Sequence, residues 1–234
     1  MTGSNMERTQ MAYARLAGFL YLFIIAVFVL GDSITDRIEV PGNFAETARR
    51  IMASEMLYRV GLSMSLILAM SIVLLTIGLY VVLKPVNSNL ALLGLAFRFV
   101  EAICHGVETA IGFVILHLYI GADLKDGLDA KQLSALVNLY SAEYLLVFHV
   151  GLIFFCVGSF LFYFLFFKSN YIPRILSGLG LVACVLVCML GVLNLIAPQY
   201  VAMLLPLRLS MALAQVSVGL WLLIKGVKVR PQES

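Results

Sequence analysis

Residues 89–119 read NLALLGLAFRFVEAICHGVETAIGFVILHLY, a run long and apolar enough to cross a bilayer that still carries Arg98, Glu101, His105, Glu108 and His117. On a helix the first four of these fall at i, i+3, i+7 and i+10, which sets them on one narrow face. At 1.5 Å per residue that face is about 15 Å long, roughly half of a hydrocarbon core. Charged groups at membrane depth are costly and pair with one another or line a path, so this face is expected to look into a helix bundle or a wet cavity.

The surrounding composition agrees. The chain has 234 residues, 62% of them hydrophobic and 12% charged, against roughly 25% charged in soluble domains. At about 20 residues per crossing it holds six or so helices and no separate catalytic module. The formal charge of +3 is small and scattered, which excludes a nucleic-acid surface. Cys104, Cys156, Cys184 and Cys188 all lie in apolar runs, so they read as buried thiols rather than a disulfide framework.

The expected architecture is all-α: one integral membrane domain, residues 1–234, built as a bundle of six transmembrane helices with short extramembrane helical segments. The spans are read at about 13–31, 57–83, 89–118, 138–167, 172–196 and 203–224. Pro41-Gly42 marks a turn after the first span. Asn43 followed by Glu46 forms a capping-box pattern, so 44–53 is expected to be a short helix with Phe44, Ala48, Ile51 and Met52 on its apolar side. It would lie on the membrane surface or over the mouth of the bundle. Asp129 followed by Gln132 is a second box, starting a helix outside the bilayer that enters it near Tyr140. Glu55 can pair with Arg59 one turn later. Small residues Ala102, Gly106 and Ala110, and Gly180, Cys184 and Cys188, form two ridges suited to close helix contact.

Six spans place both termini on one side, together with Arg8, Arg15, Lys84, Lys168, Arg174, Lys225, Lys228 and Arg230. The other side holds Arg37, Arg49, Arg50, Lys125, Lys131 and Arg208. Counting basic residues puts both termini in the cytoplasm.

Within the polar face, His105 stands four residues after Glu101 and three before Glu108, so either carboxylate reaches its ring or an ion beside it. Histidine with carboxylates suits a divalent metal such as zinc, and His149 in the fourth span is the best further ligand; the metal set is therefore Glu101, His105, Glu108 and His149. The bland reading of the same face is a packing network, with Arg98 neutralising Glu101 and His105 bonding Glu108. A third reading lines a polar intrabundle cavity with Arg59, Arg98, Glu101, His105, Glu108, Glu143, His149, Asn194, Arg208 and Gln215. His117, at the end of its span, reads as interfacial. No phosphate-binding glycine loop and no HExxH are present.

Four segments carry a resemblance: ARLAGFLYLFII in the first span, ASEMLYRVG at 53–61, LKPVNSNLALLGLAFRFVEA at 83–102 and KSNYIPRILSGLG at 168–180. In order and spacing the chain resembles the bacterial six-span membrane family known as domain-of-unknown-function family number 4386. The resemblance implies a bacterial cell membrane and counterparts of Arg59, Arg98 and Glu101 in relatives; it implies no activity or cofactor. Three functions stay open: binding or transport of a small ligand or lipid through the polar cavity, a metal-dependent intramembrane hydrolase, and a structural or partner-binding membrane protein. Membrane lipid is the expected partner in each.

Overall fold

A computed structural model describes residues 3–121, 129–197 and 207–228. Among them the chain forms seven helices: α1 (Gly3–Ile38), α2 (Phe44–Ala53), α3 (Glu55–Leu83), α4 (Ser88–Ile120), α5 (Ala130–Ser169), α6 (Arg174–Ile196) and α7 (Arg208–Ile224). Five of them, α1 and α3 to α6, are long and apolar enough to cross a membrane.

The expected sixth crossing is corrected. The described helix there is α7, with 17 residues, or about 25 Å at 1.5 Å per residue against a core of ~30 Å. The reading of 203–224 counted apolar residues before Arg208 as helix, and residues 203–206 lie outside the described part of the chain. The other elements start and stop for local reasons. Gly42 takes a left-handed φ of 74° after Pro41, and Asn43 Oδ1 accepts from the Glu46 amide at 3.1 Å to open α2. Asp129 and Gln132 form the complete reciprocal box, with amide-to-side-chain bonds of 2.9 and 2.8 Å. The helix they open, α5, has 40 residues, so at about 60 Å it is twice as long as the hydrocarbon is thick. Pro85 follows the end of α3, and Asn87 Oδ1 accepts from Leu90 N at 2.9 Å to open α4.

The chain divides into two compact units. Unit 1 comprises Met1–Ile25, Met70–Ala102 and His149–Ser234. Its core gathers Ala14, Ala17, Tyr21, Leu75, Leu79, Phe162, Tyr163, Cys184, Val218 and Leu222 from α1, α3, α5, α6 and α7. Glycines set its closest approaches. A Cβ on Gly219 of α7 would stand 3.0 Å from Tyr21 Cβ and 3.3 Å from the Gly18 carbonyl of α1. A Cβ on Gly94 of α4 would stand 3.1 Å from the Phe162 ring and 3.3 Å from the Gly158 carbonyl of α5. Bare backbones meet at both crossings, the small-residue packing that membrane helices use in place of a hydrophobic driving force. Beyond α7, Lys228 N donates to Tyr171 O at 3.0 Å.

Unit 2 comprises Ala26–Ala69 and Ile103–Phe148. Its core is Ile38, Ala48, Ile51, Tyr58, Leu62, Ile115, Leu116, Tyr119 and Val137. The amphipathic α2 buries Thr47, Ala48 and Ile51 and is thereby docked on this core, while Met52 stays exposed. Leu62 of α3 fills the notch at Gly112 of α4, where a Cβ would meet it at 2.8 Å.

Candidate functional site

In unit 1, Arg98 and Glu101 sit one turn apart on α4 and face inward, with residue exposures of 2% and 5%. Arg98 Nη1 stands 2.6 Å from Glu101 Oε2. The guanidinium carbon lies 4.7 Å from the centre of the Phe155 ring on α5, a cation–π distance. The arginine stem runs along the backbone of Gly158: a Cβ there would come within 2.7 Å of Arg98 Cγ. Gly94 and Gly158 thus bring α4 and α5 close enough for α5 to wall off the pair. Ionising two groups in such a place costs several kcal/mol each in desolvation, returned only by tight mutual pairing. The arrangement is a buried ion pair in close contact with an aromatic lid.

In unit 2 the same helix presents His105 and Glu108. With the carboxylate ionised, His105 Nδ1–H donates to Glu108 Oε2 at 2.9 Å, and Glu108 Oε1, fully buried, has no hydrogen-bond partner among the described residues. Arg59 pairs with Glu55 at 2.7 Å in a half-exposed position, as the four-residue spacing leads one to expect. Glu143 is exposed on α5. In unit 1, His149 is buried, Asn194 donates to the Leu190 carbonyl of its own helix at 2.8 Å, Arg208 is exposed at the start of α7 and Gln215 is half-buried. His117 is exposed and its Nδ1 bonds the Phe113 carbonyl at 2.6 Å.

The structure therefore joins Arg98 to Glu101 and His105 to Glu108. The four-ligand metal set is not assembled: among the described residues no three His, Cys, Asp or Glu side chains converge on a place where an ion would sit. Histidine and carboxylate at i, i+3 and i+4 on one helix pair with each other, and one helix alone does not surround a metal.

A polar cleft that the spacing of charges does not reveal lies wholly within unit 2. It has a volume of about 280 Å³ and is lined by the Glu39–Thr47 segment that enters α2, by Tyr119 of α4, and by Ser134, Val137, Asn138 and Ser141 of α5. The α5 residues recur at i, i+3, i+4 and i+7, one stripe of a helix. None of the ten residues expected to line a cavity borders it. Phe44 and Tyr119 stack in its wall with ring centres 5.2 Å apart. Glu39 Oε1 accepts from the Tyr58 hydroxyl at 2.6 Å. Withdrawal from water raises the Glu39 carboxyl above its ordinary range, the Tyr58 bond opposing and Asp36 adding to the rise. Thr47 is consumed by the backbone of Val40, whereas the side chains of Ser134, Asn138 and Ser141 make no hydrogen bond among the described residues. Beside the cleft, bonds from Arg49 and Arg50 hold the Glu46 carboxyl down at about 2. Those two guanidinium groups stand 2.8 to 2.9 Å from Glu46 oxygens and share that one carboxylate.

Compared with known proteins, residues 16–226 match the family described as Domain of unknown function (DUF4386). No curated protein and no solved structure matches the chain.

Proposed function

Since the chain belongs to the DUF4386 family, whose description assigns no activity, we propose from the geometry that this polytopic α-helical membrane protein binds a small polar ligand in the unit 2 cleft. In this reading the buried Arg98–Glu101 pair is a packing element and touches no ligand. One observation carries the proposal. A concave space of about 280 Å³, close to the lower end of the ~300–1,000 Å³ typical of ligand sites, is bordered by side chains with donors and acceptors to spare. Polar groups that convergent and that uncommitted fix the orientation of a guest. The intrabundle cavity and the metal-dependent hydrolase receive no comparable support.

The test is a thermal-shift screen of small amines, polyols and carboxylates on protein in lipid nanodiscs, run beside Ser141→Phe, which fills the cleft. A ligand at 100 times its Kd stabilises by about 2.7 kcal/mol. At least one class should raise the wild-type melting temperature and leave Ser141→Phe unmoved, with both proteins melting alike in its absence. Equal shifts in the two proteins, or no shift with any class, would sink the reading.

For orientation we propose that the amino-terminal end of α1 is cytoplasmic, on the strength of Arg8 and Arg15 beside the first apolar run. A reporter fused at the amino terminus that is active only outside the cytoplasm would reverse this. The matching expectation for the carboxyl terminus leaned on a sixth crossing that α7 does not supply.

A further inference from the structure

We infer that the unit 2 cleft selects an organic ammonium cation, a small amine either free or borne on a lipid headgroup; this rests on the cleft-binding reading and narrows it to one chemistry. Three features of the lining converge. First, the cleft has one ionisable carboxyl, Glu39, and no lysine, arginine or histidine. Anions meet no counter-charge there. The nearest cations along the chain, Arg37, Arg49 and Arg50, do not border the space, and Arg49 and Arg50 are held by Glu46. Second, the Phe44 and Tyr119 rings form part of the wall, and the negative face of an aromatic ring attracts an ammonium group. Third, Tyr58 engages only Oε1 of Glu39, so the carboxylate is steadied in one position with its second oxygen left for an N–H donor. In the same lining, Ser134, Asn138 and Ser141 offer hydroxyl and amide oxygens to the remaining N–H groups or to a hydroxyl on the same small molecule. A neutral polyol could use the α5 stripe, but would leave the carboxylate and the ring faces without a charge to meet.

Ethanolamine and ethylene glycol make a direct probe pair, because they are matched in size and differ in charge. Binding is measured by calorimetry on full-length protein in nanodiscs of phosphatidylglycerol, which carries no ammonium group. Ethanolamine should bind at least tenfold more tightly than ethylene glycol. Glu39→Gln, which keeps an oxygen for the Tyr58 hydroxyl, should weaken ethanolamine at least tenfold and leave glycol unchanged. Repeating the titration in discs containing phosphatidylethanolamine separates the two sources. Loss of the ethanolamine signal there assigns the site to the lipid headgroup, and an unchanged signal assigns it to the free amine. Equal affinity for the two probes overturns the ammonium inference while leaving a ligand cleft standing, and it does so on the wild type even if Glu39→Gln fails to fold. Equal ethanolamine affinity in wild type and folded Glu39→Gln also overturns it. If neither probe binds and the wider screen gives no Ser141-dependent shift, both readings fall together.

Discussion

Removing one partner of the Arg98–Glu101 pair should do far more damage than removing both. In Arg98→Met the stem length is kept while the Glu101 carboxylate, whose side chain is only 6% exposed, loses its guanidinium. Breaking a buried pair from one side costs about 3–5 kcal/mol. With side chains 3% and 6% exposed, the discount that solvent screening imposes on surface pairs does not apply. At 1.4 kcal/mol per decade, such a loss lowers the folding equilibrium by about two to three and a half orders of magnitude. The double variant Arg98→Met/Glu101→Leu puts no charge in that place, and replacing buried pairs by apolar groups of similar volume is often neutral. Its stability should return to within about 1 kcal/mol of wild type, giving a coupling of at least ~3 kcal/mol. Arg98→Lys should fall between, since it keeps the charge and loses the planar group over the Phe155 ring. Reversible unfolding of detergent-solubilised protein with a denaturing surfactant, with Glu101→Leu completing the cycle, measures all of these. A coupling under about 1 kcal/mol, or a double variant as unstable as the worse single, would refute the view that Arg98 and Glu101 form a tightly coupled pair on α4, shielded by α5.

Two further outcomes test the packing and the electrostatics. Gly158→Ala sets a Cβ at 2.7 Å from Arg98 Cγ and 2.9 Å from the Gly94 carbonyl, and should cost about 1–3 kcal/mol in the same unfolding assay. Gly106→Ala meets nothing within 4 Å and should stabilise α4 by up to ~1 kcal/mol; equal effects at the two sites would contradict the close crossing. Glu46 ionises more easily when folded, so its bonds to Arg49 and Arg50 stabilise α2 fully above its ordinary value of 4.5 and are lost as pH falls towards about 2. Amide exchange over 44–53 should therefore lose protection across that window in wild type, beyond the intrinsic pH dependence, and not in Glu46→Gln.

What could be read from the chain depended on how many helices a feature needs. The face holding Arg98, Glu101, His105 and Glu108 was legible because a single helix fixes relative azimuth, and all four side chains are buried or half-buried. The two capping patterns were legible for the same local reason. At Asn43 the cap formed without its reciprocal half, since Glu46 turned to two arginines instead. Of the two expected small-residue ridges, the one through Gly180 packs closely on the Tyr163 ring, whereas Gly106 of the other faces open space and the close approach of α4 falls at Gly94, where Gly158 supplies the other bare surface. One sequence stripe does not say which helix lies opposite. The cleft was missed because its walls come from 39–47, 119 and 134–141. Its only local trace is the Ser134, Asn138, Ser141 stripe, which by itself reads as an ordinary solvated helix face. The sixth span does not stand because the described helix there, α7, has 17 residues, short of the ~20 that a crossing needs, and a hydropathy run does not by itself report helix length.

The Gly18–Gly219 crossing also bears on the order in which the protein is made. Unit 2 draws on nothing beyond Phe148, so every residue of its core has been synthesised while the last third of the chain is still on the ribosome. Unit 1 seats α7 against α1, a contact between residues about 200 positions apart in the sequence. Closing so long a loop is slow compared with forming local contacts. Until the final helix emerges, the Gly18 surface of α1 remains an open notch in a nascent chain, the moment at which another hydrophobic segment can occupy it.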